Sequence, residues 1–195
     1  MRDTIHSLAG GNKIAFILLS ILLLNISYPF SETGTVAALL FVGFYLFLTG
    51  SAIYLVSSDR QLLSISVLLA IIIALAGGIT IASNFTAPVW IILLWNAALF
   101  VQVTLIITLL VLFIIQAKVV TREVLFAAVS IYFMLAGIFT VMYVVTESLS
   151  PEAFISSSGT EMTWQRLNYF SLVTISTLGY GDIVPIAPPR SRFPP

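Results

Sequence analysis

The feature that most constrains this chain is how far apart its charges lie. Eighteen uncharged residues separate Lys13 from Glu32, 26 separate Glu32 from Asp59, 57 separate Arg60 from Lys118, and 23 separate Glu123 from Glu147. An ionised side chain is costly in hydrocarbon, and a helix needs roughly 20 mostly apolar residues to cross a bilayer. The uncharged intervals are therefore rulers for membrane spans. They predict helices over 13–30, 34–57, 61–82, 89–117 and 122–147. The longest interval divides at Ser83-Asn84-Phe85-Thr86-Ala87-Pro88, a polar turn whose proline can also open the next helix. All five are expected to be helical, because an open sheet leaves backbone groups unsatisfied in lipid.

Composition excludes the competing classes. Only 8% of the 195 residues are charged and 59% are hydrophobic, where a soluble domain carries roughly a quarter charged residues. Mean hydropathy is +1.11, so the lipid bilayer is the solvent. Eight basic residues balance eight acidic ones, and no basic run suggests nucleic acid. Without cysteine there is no disulfide framework, thiolate metal site or cysteine nucleophile, and the single His6 makes neither a zinc site nor a triad. No nucleophile-base pair or phosphate loop is present, so the chain is not expected to be an enzyme, and no cofactor is implied.

Arg2 and Lys13 ahead of an apolar run could open a secretory signal, but no small-x-small cleavage site follows Leu24, and an uncleaved first helix is expected. Basic residues in short loops stay cytoplasmic. With the N-terminus inside, Arg2, Lys13, Arg60, Lys118 and Arg122 all lie on that side, and none falls in the loops at 31–33 or 83–88. Residue 148 onward is then outside, in a multi-pass protein of the cell membrane.

Within the spans, Ser66, Ala70, Ala74, Gly78 and Ala82 recur at every fourth position and predict a close-packing stripe. The span 89–117 contains Asn96 and Gln102 but no Lys or Arg, so it lacks the charges of a voltage sensor. Its two amides are expected to make interhelical hydrogen bonds rather than line a polar path. Asn84-Phe85-Thr86 matches the glycosylation acceptor pattern but sits too near the membrane to carry weight.

After an outer loop at 148–162, residues 163–176 form an amphipathic segment about 21 Å long as a helix, too short to cross. Backbone following such a segment must be buried in protein or line water. That backbone is Thr177-Leu178-Gly179-Tyr180-Gly181-Asp182. Alternating glycines permit alternating backbone handedness, which can turn successive carbonyls to one side. A row of carbonyl oxygens substitutes for the water shell of a monovalent cation, the Thr177 hydroxyl can add a ligand, and the C-terminal end of the short helix favours positive charge nearby.

This run, preceded by Tyr-Phe-Ser-Leu-Val-Thr and followed by Ile-Val-Pro, resembles the pore helix and selectivity filter of potassium channels over about residues 163–185. The resemblance implies an all-α integral membrane protein with five transmembrane helices and a re-entrant pore loop. Residues 1–12 would be a cytoplasmic N-terminus and 13–117 a four-helix region without voltage-sensor charges. Residues 122–185 would be the pore region, with outer helix 122–147, pore helix 163–176 and filter 177–182. It further implies that the carbonyls of Thr177, Leu178, Gly179 and Tyr180 hold K+, the transported ion. Gly179 and Gly181 would supply the unusual backbone angles, Tyr180 would brace the filter against pore helices, and Asp182 would sit at the outer mouth. Leu178 stands where valine is more usual. Val173 stands where some relatives carry an acid that pairs with the filter aspartate, so Asp182 must be held by other groups. Glu147, Glu152, Glu161 and Asp182 either concentrate cations near the mouth or simply solvate the outer loop. Arg166 is expected to reach headgroups or a nearby acid.

One filter strand cannot surround an ion, so the resemblance implies a homotetramer. The ten residues after Pro185 contain four prolines and do not form the inner helix such a pore needs, so a chain incomplete at this point is expected not to conduct alone. Two other classes remain: a regulatory or dominant-negative subunit that co-assembles with full-length relatives, and a five-helix transporter or scaffold whose filter-like loop is accidental.

Overall fold

The computed structural model describes residues 12–27, 30, 35–83 and 87–186. Five long helices occupy the four uncharged intervals, two of them in the longest: α1 Lys13–Ser27, α2 Thr35–Val56, α3 Arg60–Ala82, α4 Val89–Gln116 and α5 Arg122–Leu149. A short strand β1 Phe154–Ser156, a short helix α6 Trp164–Ile175 and a second strand β2 Ile183–Pro185 follow. His6, Glu32, the Asn84-Phe85-Thr86 turn and the proline-rich tail from 187 lie outside the described residues.

Among the described residues three helical stretches are long and apolar enough to cross a bilayer: Arg60–Thr80, Val89–Gln116 and Arg122–Leu149. The 15 residues of α1 extend only about 22 Å, short of the roughly 30 Å of hydrocarbon. α2 is longer, 22 residues or about 33 Å, and Gly43–Val56 is its apolar stretch among the residues whose side chains are described. The four intervals are thus helical, and among the described residues three helices combine crossing length with apolar composition.

The chain divides into two compact units, one ending at Leu135 and the other starting at Ala136. In the first unit α1 lies along α2 and α3 along α4. Its core joins Ile14, Ile17 and Ile21 of α1 with Ala52, Leu55 and Val56 of α2, Ile106, Leu109, Leu110 and Phe113 of α4, and Val124, Ala127 and Met134 from the first half of α5. The tight α2–α3 connection is closed by Asp59, whose Oδ1 accepts the amides of Gln61 at 3.0 Å and Leu62 at 3.2 Å. An aspartate at this N-cap satisfies donors that the first helical turn leaves free. Pro88 does the equivalent job for α4 from just outside it, its carbonyl accepting the Ile91 amide at 2.9 Å.

The packing face of α3 is not the stripe of every-fourth small residues. Ser66 is buried, but Ala74 and Gly78 are exposed, and the inward face runs through Ile73, Ala76, Gly77 and Thr80. Four residues advance a helix by about 40° more than one turn, so a strict period of four winds off the face within a few turns. The close approach occurs at Gly77, where a Cβ would lie 2.9 Å from Nε1 of Trp95 on α4. Gln102 makes the expected interhelical bond, its Nε2 donating to Ser66 Oγ at 2.7 Å. Asn96 instead donates to the Ile92 carbonyl of its own helix at 2.8 Å.

Candidate pore loop

The second unit is built around the short amphipathic segment. Leu167 of α6, Phe154 of β1 and Ile183 of β2 are buried together, with Tyr143, Met162 and Phe170 packed around them. Tyr143, Phe154 and Phe170 meet pairwise with ring centroids 5.2 to 5.6 Å apart, a spacing at which edge-to-face and tilted rings attract.

Two features on the outer loop escaped the sequence reading. β1 and β2 pair antiparallel, Phe154 opposite Pro185, Ile155 opposite Val184 and Ser156 opposite Ile183. The ladder extends at both ends, Ser157 N–H donating to the Asp182 carbonyl at 2.8 Å and Ile186 N–H to the Ala153 carbonyl at 2.8 Å. The segment that leaves the loop after residue 182 is therefore fastened to the segment that enters it. Phe154-Ile155-Ser156 shows no polar-apolar alternation in the sequence, and three residues are too few to distinguish a strand from a loop.

The second feature is Glu147. Its two carboxylate oxygens accept the amides of Glu152 at 2.9 Å and Phe154 at 3.2 Å. It closes a turn in which Glu152 has φ 67°. Of the two readings weighed for the outer acids, this one takes a third course and organises backbone. Arg166 donates from Nη1 to Ser156 Oγ at 3.4 Å, at the head of a hydroxyl chain running through Ser158 to Thr160.

Helix α6 ends in a specific hook. Ser176 is the C-cap, Thr177 follows with φ 60°, and the amides of Thr177 and Leu178 turn back to the carbonyls of Thr174 at 3.0 Å and Val173 at 3.1 Å. That pair of bonds is the Schellman arrangement, whose left-handed residue is usually glycine. A β-branched residue there is strained by about 1–2 kcal/mol. Positive φ then returns at every second position, 55° at Gly179 and 74° at Gly181. A Cβ at either glycine would meet open space, so backbone angle and not crowding demands glycine.

Each residue singled out from the sequence can now be placed. Thr177, Gly179 and Gly181 are exposed, as are Leu178 at 58% and Tyr180 at 65%. Asp182 is half-buried and is held through its backbone carbonyl by Ser157. Val173 is buried and serves through its carbonyl. The chain by itself therefore fixes both ends of the loop and leaves its middle uncovered. No group of three or more metal-ligating side chains occurs among the described residues.

Two contacts join α6 to the second half of α5. Thr140 Oγ1 donates to Asn168 Oδ1 at 3.0 Å, and Ser171 Oγ donates to the Ala136 carbonyl at 2.6 Å. From the sequence both α6 residues read only as part of an amphipathic pattern.

A family model described as ion channel matches residues 140–193. No match was found among curated proteins or among solved structures. The matched segment takes in most of the second unit, from the end of α5 through the loop. That match supports an ion channel family for this part of the chain and points to a channel rather than an enzyme.

Proposed function

We propose that the chain is a subunit of a potassium-selective channel, with residues 177–181 as its filter. The observation that carries this reading is the alternation of positive φ at Thr177, Gly179 and Gly181 immediately after a short helix that does not cross. In such a backbone the carbonyls of Thr177, Leu178, Gly179 and Tyr180 line one side and replace the hydration shell of K+, with the Thr177 hydroxyl at the inner end. The exposure of Leu178 and Tyr180 in one chain supports a homotetramer, in which neighbouring copies cover these side chains and Asp182 rings the outer mouth. With all five long helices crossing and the N-terminus inside, the loop enters the cell membrane from the outside, past Glu152 and Glu161. Voltage sensing through α1–α4 is not part of the reading, because α4 carries no Lys or Arg.

The test is ion preference. The full chain in detergent or nanodiscs should unfold at a higher temperature, and be trapped by cross-linking as a tetramer, in K+ more than in Na+ at equal ionic strength, since a ligand that binds only the folded assembly stabilises it. Gly179→Ala should remove the difference. Equal behaviour in the two ions, unchanged by Gly179→Ala, overturns the reading.

A further inference from the structure

Resting on the channel reading above, the structure points to a further pair of residues that decide ion preference without touching an ion. We infer that Asn168 and Ser171 are positioning residues, which set the height of the filter by fixing the axial register of α6 against α5.

The two side chains stand three apart on α6 and so share a face. Their partners, Thr140 and Ala136, stand four apart on α5 and share a face too. Ser171 is buried, at 1% exposure, and Ala136 equally so, its small side chain permitting α6 to reach the backbone of α5. The Ala136 carbonyl also lies 2.9 Å from Thr140 Oγ1, which shares its single proton between that carbonyl and Asn168 Oδ1, so both rungs converge on one turn of α5. Apolar contacts between two helices tolerate a slide, because any apolar surface serves about as well as its neighbour. Buried hydrogen bonds do not, because sliding by one residue separates donor from acceptor in a medium that offers no replacement. Two rungs a turn apart fix rotation as well as translation.

The register reaches the filter because the hook at the end of α6 is short. Leu178 N–H is bound to Val173, two residues past Ser171 and on the last full turn of the helix. Downstream, Asp182 is held by Ser157. The loop is suspended between these points, so a displacement of α6 changes the distance it must span and with it the spacing of its carbonyls.

The variants have different expected consequences at the bonds themselves. Ser171→Ala removes a donor and leaves the Ala136 carbonyl with other partners. Thr140→Val is nearly isosteric but leaves the Asn168 amide oxygen without its donor. The measurement is the ratio of K+ to Na+ concentrations that give half-maximal thermal stabilisation of the full chain in nanodiscs, alongside the melting temperature in ion-matched buffer holding neither. Ser171→Ala should reduce the K+ preference roughly tenfold through the altered carbonyl spacing and, because it also removes one buried interhelical bond, lower the baseline melting temperature by a few degrees. Ser171→Thr should restore it, and Thr140→Val should reproduce the loss together with a lower baseline. A wild-type chain that prefers K+ and an Ser171→Ala chain that prefers it equally overturn the positioning role alone, whatever happens to the baseline. A wild-type chain without preference overturns the channel reading and this role with it.

Discussion

At the scale of single residues, the most informative is Thr177, since it holds a backbone conformation that glycine would hold at less cost. Nothing in the hook requires a hydroxyl, because both hook bonds are made by backbone amides. Strain retained at one position is a mark of function, and here the proposed function is a ligand to the innermost ion. Replacing Thr177 by glycine relieves about 1–2 kcal/mol of strain and gives back about 0.4–1 kcal/mol to the unfolded chain. Thr177→Gly should therefore melt at or above the wild-type temperature in Na+ and show a weakened K+ effect, whereas Thr177→Ser keeps the K+ effect. A Thr177→Gly chain that melts several degrees lower in both ions shows that the side chain holds the loop by packing. Gly77 is the counterpart in the first unit. Gly77→Ala should lower stability by about 1–3 kcal/mol, as overpacking does, because the added methyl meets the Trp95 ring, and a smaller side chain at 95 should relieve it.

Among the elements, the β1–β2 strand pair is the least expected and the most consequential. Two strands of three residues have little stability of their own. They persist because Phe154 and Ile183 are buried with Leu167 and because Glu147 holds the turn before β1. In Glu147→Gln one oxygen becomes an NH2 facing an amide donor. The expected loss is about 1–3 kcal/mol, read as faster hydrogen exchange at Glu152, Phe154 and Ser157, with the α1–α4 amides unaffected. Uniform exchange across the chain in this variant would mean that the strand pair does not depend on the carboxylate.

The α-helical elements were legible because charge spacing alone identifies them, and their ends fell within a few residues of the charge gaps. The small-residue stripe was misread because a count of four is an approximation to 3.6 that fails over five repeats. The strand pair, the Glu147 turn and the α5–α6 rungs were not legible. Each pairs residues that are ordinary in their own neighbourhoods, and only the fold brings Asn168 to Thr140 or Ser157 to Asp182.

For the whole molecule, the proposed topology gives the charges a sidedness that the net value of zero conceals. In the proposed topology Glu152, Glu161 and Asp182 face outward, and four copies create a negative field over the mouth that concentrates cations. With Glu147 engaged in backbone bonds, the exposed pair Glu152 and Glu161 should account for the screenable part of that field. Neutralising both to glutamine should lower K+ binding a few-fold at low ionic strength and leave it unchanged at high ionic strength, where the Debye length is only about 3 Å at 1 M salt. A salt-independent loss would assign these residues to loop structure instead.

Sequence by itself determined the solvent, the helices and the alternating glycines of the loop. Charges cannot be left in hydrocarbon, and alternating glycines mark a backbone that side-chain-bearing residues resist, so both properties are local and can be read residue by residue. What only the tertiary structure decided is how the loop is held: hooked to α6 at Val173, clipped to β1 at Ser157, and carried on a helix tied to α5 by two hydrogen bonds. Those partners are far apart along the chain, and a serine or an asparagine has no preferred partner until burial removes water as an alternative.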